Sequence, residues 1–171
     1  TSSQYFAKLE ILAELFQAVR DNVLYSFFTS VIFCIFVQSS AITIGLAMSL
    51  ATAGVISPHD AMIWVYGANI GTTSTALFAA AGSNFVGKQV AWAHFFYKTV
   101  SVLIFYPLTS YFLNLIESYQ TTPARMIANA HFFFNLTSAI IFFPFIKKGA
   151  DLIEKLIPKT AQDEFGAEFL T

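Results

Sequence analysis

Between residues 23 and 146 polar side chains are scarce, and they gather at a few places that divide the chain into apolar runs. Val23 to Val37 and Ala41 to Ile56 flank the tripeptide Gln38-Ser39-Ser40. Each of these runs makes only about 23 Å of helix, short of the roughly 30 Å hydrocarbon core. Two half-length helices around a polar tip predict a re-entrant hairpin that enters the membrane and returns, over residues 21–57. The next run, Ala61 to Ala81, is long enough to span but carries GANIGTT at its centre, predicting a discontinuous helix within 58–87. Gln89–Glu117, which contains Pro107, and Arg125–Ile146 meet the length of about 20 residues that a spanning helix needs, giving two transmembrane helices within 88–146. Residues 4–19 alternate Leu9, Leu12, Leu15 and Phe16 with Glu10 and Glu14, so 1–20 reads as an interfacial amphipathic helix.

Composition strengthens the membrane reading. Only 11% of residues are charged while 56% are hydrophobic, against about 25% charged in ordinary soluble domains. The charges concentrate near the ends, and the predicted class is an all-α, multi-pass integral membrane protein of the cell membrane. A net charge of −1 without a basic patch offers nothing to nucleic acid. The N-terminus lacks a basic-then-apolar leader and does not begin with Met, so the chain reads as part of a longer protein. Lys147, Lys148, Lys155 and Lys159 follow the last spanning helix and predict a cytoplasmic tail over 147–171. Cys34, the one cysteine, reads as a small buried hydrophobe.

The two spanning helices echo each other. AWAHFFYKTVSVLIFYPL (91–108) and ANAHFFFNLTSAIIFFPF (128–145) agree at half their positions, pairing His94 with His131, Ser101 with Ser138 and Pro107 with Pro144. Where the first copy has Lys98 the second has Asn135.

Irregular backbone at membrane depth is tolerated only where protein or a watery cavity satisfies it. Helix ends at such breaks attract anions to free N–H groups and cations to free carbonyls. Ser39, Ser40, Thr72, Thr73 and Thr75 add hydroxyls, and Gln38 and Asn69 add amides that both donate and accept. Paired interrupted segments are the sequence signature of a transporter site near the midplane. The competing reading is packing, since Gly67 and Gly71 form a GxxxG. Neither motif has an Arg or Lys beside it in sequence, so a phosphate dianion there would need bound Na⁺ for charge balance. Lys98, about 15 Å into its helix from Lys88, is either held in a structural network or reaches the site as compensating charge. His94 and His131 read as packing residues, and Ser57 with Asp60 as a cap for the next helix.

The sequence QSSA, followed by GANIGTTST and then AHFFxK/N, resembles the type II sodium–phosphate cotransporter family over about residues 23–158. That family carries QSSS and GxNIGTT in each of two inverted repeats. The resemblance implies sodium-coupled inorganic phosphate transport, with phosphate at Gln38, Ser39, Ser40, Asn69, Gly71, Thr72 and Thr73. It implies Na⁺ as coupling ion at Gln38, Ser39, Asn69, Thr72, Thr73 and Thr75, and no other cofactor. Ala41 stands where the third serine of QSSS is expected, and each motif occurs once. The chain then corresponds to the second repeat, one half of an inverted-repeat transporter. Its partners would be a first-repeat half and further copies in a homo-oligomer, and its tail would lead towards a PhoU-like domain. A non-transporting scaffold or assembly subunit and a passive anion channel are the alternatives. No enzyme signature is present: no nucleophile with a base, no metal-ligand cluster and no P-loop.

Overall fold

The computed structural model describes residues 22–119 and 122–159, and the predicted interfacial helix lies outside them. Among the described residues the chain is helical throughout. In order it forms α1 (Val23–Val37), α2 (Ser40–Thr52), α3 (Pro58–Gly71), α4 (Thr73–Ala81), α5 (Phe85–Phe105), α6 (Thr109–Glu117), α7 (Pro123–Phe142) and α8 (Ile146–Leu156).

Local chemistry sets most of these boundaries. Asn22 caps α1 by accepting from the N–H groups of Leu24 and Tyr25, at 2.9 and 3.2 Å. Gly54, at φ 73°, closes α2 with a Schellman pair: Val55 N–H to Leu50 O at 2.9 Å and Gly54 N–H to Ala51 O at 3.1 Å. Ser57 and Asp60 form the reciprocal capping box that opens α3, with Pro58 in its first turn. Asn84 caps α5 and Thr122 caps α7.

Pro107 and Pro144 lack the N–H that would continue an α-helix. Each therefore sits in a 3₁₀ step, Tyr106–Leu108 and Phe143–Phe145, and the helix resumes beyond it. The echo is thus structural as well as sequential. Among the described residues, two helices are long and apolar enough to cross a membrane, Phe85–Glu117 and Pro123–Leu156. The second runs past Ile146, the end expected from hydropathy, so the first part of the predicted tail is the helix α8. Before the step, α5 has 21 residues and α7 has 20, each about 30 Å long. One bilayer thickness is therefore complete before each proline. Gln89 Nε2 donates to Ile157 O at 2.8 Å, so the start of α5 and the end of α8 share one end of the molecule.

The centre of the fold is α3, in which every residue from Ala61 to Asn69 is buried. Helices α1, α2 and α7 pack around it. Helix α1 presents its small residues inwards: Ser26, Ser30 and Cys34, four apart, are its buried side chains. Its bulky face is turned out, with Leu24, Phe28, Ile32 and Phe36 between 53% and 83% exposed. Water would drive the opposite arrangement. Small side chains inside and large apolar ones outside is how helices pack when the surroundings are lipid.

The same core joins α3 to the two long helices. Phe134 stacks edge-on against Tyr66 and Phe105, with ring centroids 5.4 and 5.2 Å apart. The Tyr66 hydroxyl is 2.9 Å from Thr109 Oγ1, which fixes the first turn of α6 against the core.

Candidate functional site

The polar tripeptide makes the turn between α1 and α2. Gln38 adopts the left-handed conformation (φ 54°, ψ 28°), the one non-glycine to do so among the described residues. Its N–H bonds back to Cys34 O at 2.8 Å, and its side chain is exposed at the tip. Ser39 caps α2 by accepting from Ile42 N–H at 3.3 Å, and Ser40 is the first helical residue. The tip therefore presents an exposed amide and the N-terminal end of a helix side by side.

At GANIGTT the interruption is confined to Thr72. Its backbone stays right-handed (φ −65°, ψ −20°), and its N–H still reaches Ala68 O at 3.0 Å. No residue there takes positive φ and no proline intervenes, so the turn slackens without unwinding. Two hydroxyls hold it: Thr73 Oγ1 donates to Ile70 O at 2.7 Å, and Thr75 Oγ1 donates to Thr72 O at 2.9 Å. With their protons committed, these oxygens present only lone pairs, which suit a cation better than an anion. Ser74 Oγ is buried and finds no hydrogen-bond partner among the described residues.

The tip and the interruption share one level. Ser30 Oγ donates to Trp64 O at 2.6 Å, and Cys34 Sγ donates to Ala68 O at 3.4 Å. These matched four-residue steps mean that α1 and α3 run parallel. One more step along the same register sets Gln38 level with Thr72. Helix α1 can lie this close because Gly67 and Gly71 face it. A Cβ on Gly67 would stand 2.7 Å from Phe27 O and Ser30 Cβ, and one on Gly71 would stand 2.7 Å from Cys34 Cβ. Packing therefore accounts for both glycines of the GxxxG, Gly71 included. The sequence signal for the other side of this contact was the spacing of Ser26, Ser30 and Cys34.

Lys98 changes the electrostatics. Neither motif has a cationic neighbour in sequence, but the fold brings Lys98 to one of them, and it is also held in a hydrogen-bond network there. Lys98 Nζ donates to Asn69 Oδ1 at 2.8 Å and to Asn135 Oδ1 at 2.7 Å, and lies 5.7 Å from the centre of the Tyr97 ring. The amine of α5 thus reaches into the GANIGTT motif of α3 and meets its own echo position on α7. His94 and His131 lie one turn earlier on α5 and α7. Asn135 was marked in sequence only by the echo. No group of three or more His, Cys, Asp or Glu that could hold a metal is found among the described residues.

A family profile described as Na⁺/Pi-cotransporter matches residues 3–143. The chain is 31% identical over 120 residues to the uncharacterized protein YqeW of Bacillus subtilis, covering 70% of this chain and 39% of that protein. It is 40% identical over 76 residues to sodium-dependent phosphate transport protein 2A of Oryctolagus cuniculus, covering 42% of this chain and 12% of that one. It is 35% identical over 96 residues to sodium-dependent phosphate transport protein 2C of Mus musculus, covering 48% and 16% respectively. The chain therefore spans well under half the length of each of these relatives. No solved structure matches it.

Proposed function

The chain belongs to the Na⁺/Pi-cotransporter family, and on that premise we propose that it forms part of a sodium-coupled transporter of inorganic phosphate. The relatives named for sodium-dependent phosphate transport support the solute and the coupling ion. The observation that carries the placement of the site is the common level of the Gln38 turn and the Thr72 interruption, set by the bonds from Ser30 and Cys34.

In this reading phosphate binds at the tip. The Gln38 amide, the hydroxyls of Ser39 and Ser40 and the first N–H groups of α2 would donate to its oxygens. Sodium binds on the α3–α4 side, at the oxygens of Thr72, Thr73 and Thr75, whose hydroxyl protons are turned away at Thr73 and Thr75. An anion held by neutral groups needs a cation beside it at membrane depth, where unbalanced charge is costly. Binding of the two solutes is then linked by charge. A first-repeat half, in the same protein or another chain, would close the site, and the lysines of 147–159 would face the cytoplasm.

The test is uptake of radiolabelled phosphate into proteoliposomes of the complete protein, under an inward Na⁺ gradient or a matched K⁺ gradient. Sodium-dependent uptake that collapses in Gln38→Ala and in Thr73→Ala supports the reading. Equal uptake under both gradients would favour a passive anion path, and no uptake by folded protein would favour a scaffold.

A further inference from the structure

Asn69 and Asn135 are prepared in the same way. Asn69 Nδ2 donates to Val65 O at 2.8 Å and Asn135 Nδ2 donates to His131 O at 2.9 Å, each to the carbonyl four residues earlier on its own helix. Tying down the amide nitrogen turns each Oδ1 outwards, and both oxygens point at one place. That place holds Lys98 Nζ, at 2.8 and 2.7 Å. Two convergent amide oxygens, one from a fully buried side chain at 3% exposure, suit a small cation that exchanges its water for carbonyl-type ligands. Among the described residues no carboxylate pairs with Lys98. The ammonium rests on neutral oxygens alone, as a bound metal ion would.

We propose that Lys98 is a tethered cation occupying a sodium position between Asn69 and Asn135, so that this protein couples phosphate to one sodium ion fewer than a homologue with asparagine there would need. The echo supplies the reasoning. Position 98 corresponds to position 135, 37 residues on, with His94 matching His131 and Ser101 matching Ser138. An asparagine at 98 tied to the carbonyl of His94, as Asn135 is tied to that of His131, would aim a third amide oxygen at the same point. Three such oxygens form the beginning of a sodium site, with water or backbone completing the shell. Lysine at that position fills the space with its own charge instead. A tethered charge cannot leave with the solute, so it contributes to anion binding without being carried across as a separate ion.

This inference rests on the sodium–phosphate reading and is tested so that the two can fail separately. Uptake of radiolabelled sodium and phosphate is measured together in proteoliposomes of the complete protein, as wild type and as Lys98→Asn. The expected result is a sodium-to-phosphate ratio one ion higher in Lys98→Asn, with a steeper dependence of uptake on sodium concentration. An unchanged ratio would overturn the proposal. Sodium binding is also read without transport, as the rise in Tm of detergent-purified protein in NaCl over choline chloride, in phosphate-free buffer. Lys98→Asn should show a larger sodium-specific rise than wild type, and Asn135→Leu in the same chain should abolish the difference. Equal rises in Lys98→Asn and wild type would again overturn it. Wild-type uptake that ignores sodium would overturn the transport reading, while the Tm comparison would still decide what Lys98 replaces.

Discussion

Lys98 and Asn135 hold the same position in two echoed helices, and the fold brings them together at 2.7 Å. The amine is shared with Asn69, so the three residues tie α3, α5 and α7 at one point. Hydrogen bonds to a charged donor contribute about 1.5–3 kcal/mol each. Asn135→Leu should therefore lower stability by about 1–3 kcal/mol, because it leaves the ammonium short of an acceptor. Lys98→Met should cost a comparable amount, and the double variant less than the sum, by about 0.5–3 kcal/mol. Thermal unfolding of the four proteins in one detergent closes the cycle, and strict additivity would show that the contact contributes nothing.

The α1–α3 contact allows two effects to be ranked. Ser30→Ala removes one inter-helix hydrogen bond, and such bonds in membranes contribute about 0.6 kcal/mol on average. Gly67→Ala places a methyl group 2.7 Å from Phe27 O and Ser30 Cβ, an overpacking that costs about 1–3 kcal/mol. The glycine variant should be the more damaging of the two. Gly45→Ala, where nothing lies within 4 Å, should stabilise α2 by up to about 1 kcal/mol. A smaller Tm loss in Gly67→Ala than in Ser30→Ala would mean that α1 can move aside.

Gln38 separates conformation from chemistry. Its left-handed backbone costs a side chain about 1–2 kcal/mol that glycine does not incur. Gln38→Gly should leave Tm unchanged or raise it, while sodium-driven phosphate uptake falls with loss of the amide. Paired Tm and uptake measurements check this. Full uptake in a stable Gln38→Gly protein would remove Gln38 from the site.

The reciprocal cap at the start of α3 is exposed and local, so its effect should be on stability alone. Ser57 Oγ accepts from Asp60 N–H at 3.1 Å, and Ser57 N–H donates to Asp60 Oδ2 at the same distance. Ser57→Ala should lower stability by about 1 kcal/mol with the sodium dependence of uptake unaltered. A shifted sodium dependence would tie this cap to the transport cycle.

Local features were legible in the sequence. The turn at Gln38-Ser39-Ser40, the Ser57–Asp60 cap and burial of Cys34 each follow from a few neighbouring residues, and each is present. The break at GANIGTT was visible as chemistry, but its size was not. Threonine hydroxyls bond to carbonyls three residues back, and that lets one turn slacken without opening the helix. The last span read as ending at Ile146; the 3₁₀ step at Pro144 lets the helix resume as α8. The cation was legible only as one of two readings of Lys98. Lys98 lies 29 residues from Asn69, and only packing of α5 against the end of α3 brings that amine to a motif with no charged neighbour in sequence.

On the proposed transport reading, the parallel contact between α1 and α3 constrains how a solute would be released. Ser30 and Cys34 are fastened to the backbone of the neighbouring helix on successive turns, and the two glycines leave no slack between the axes. Sliding either helix by one residue would break both bonds and drive Ser30 or Cys34 into a non-glycine neighbour. Movement of the tip alone would have to break that contact, so on the proposed transport reading exposure of a site there would involve α1 and α3 together.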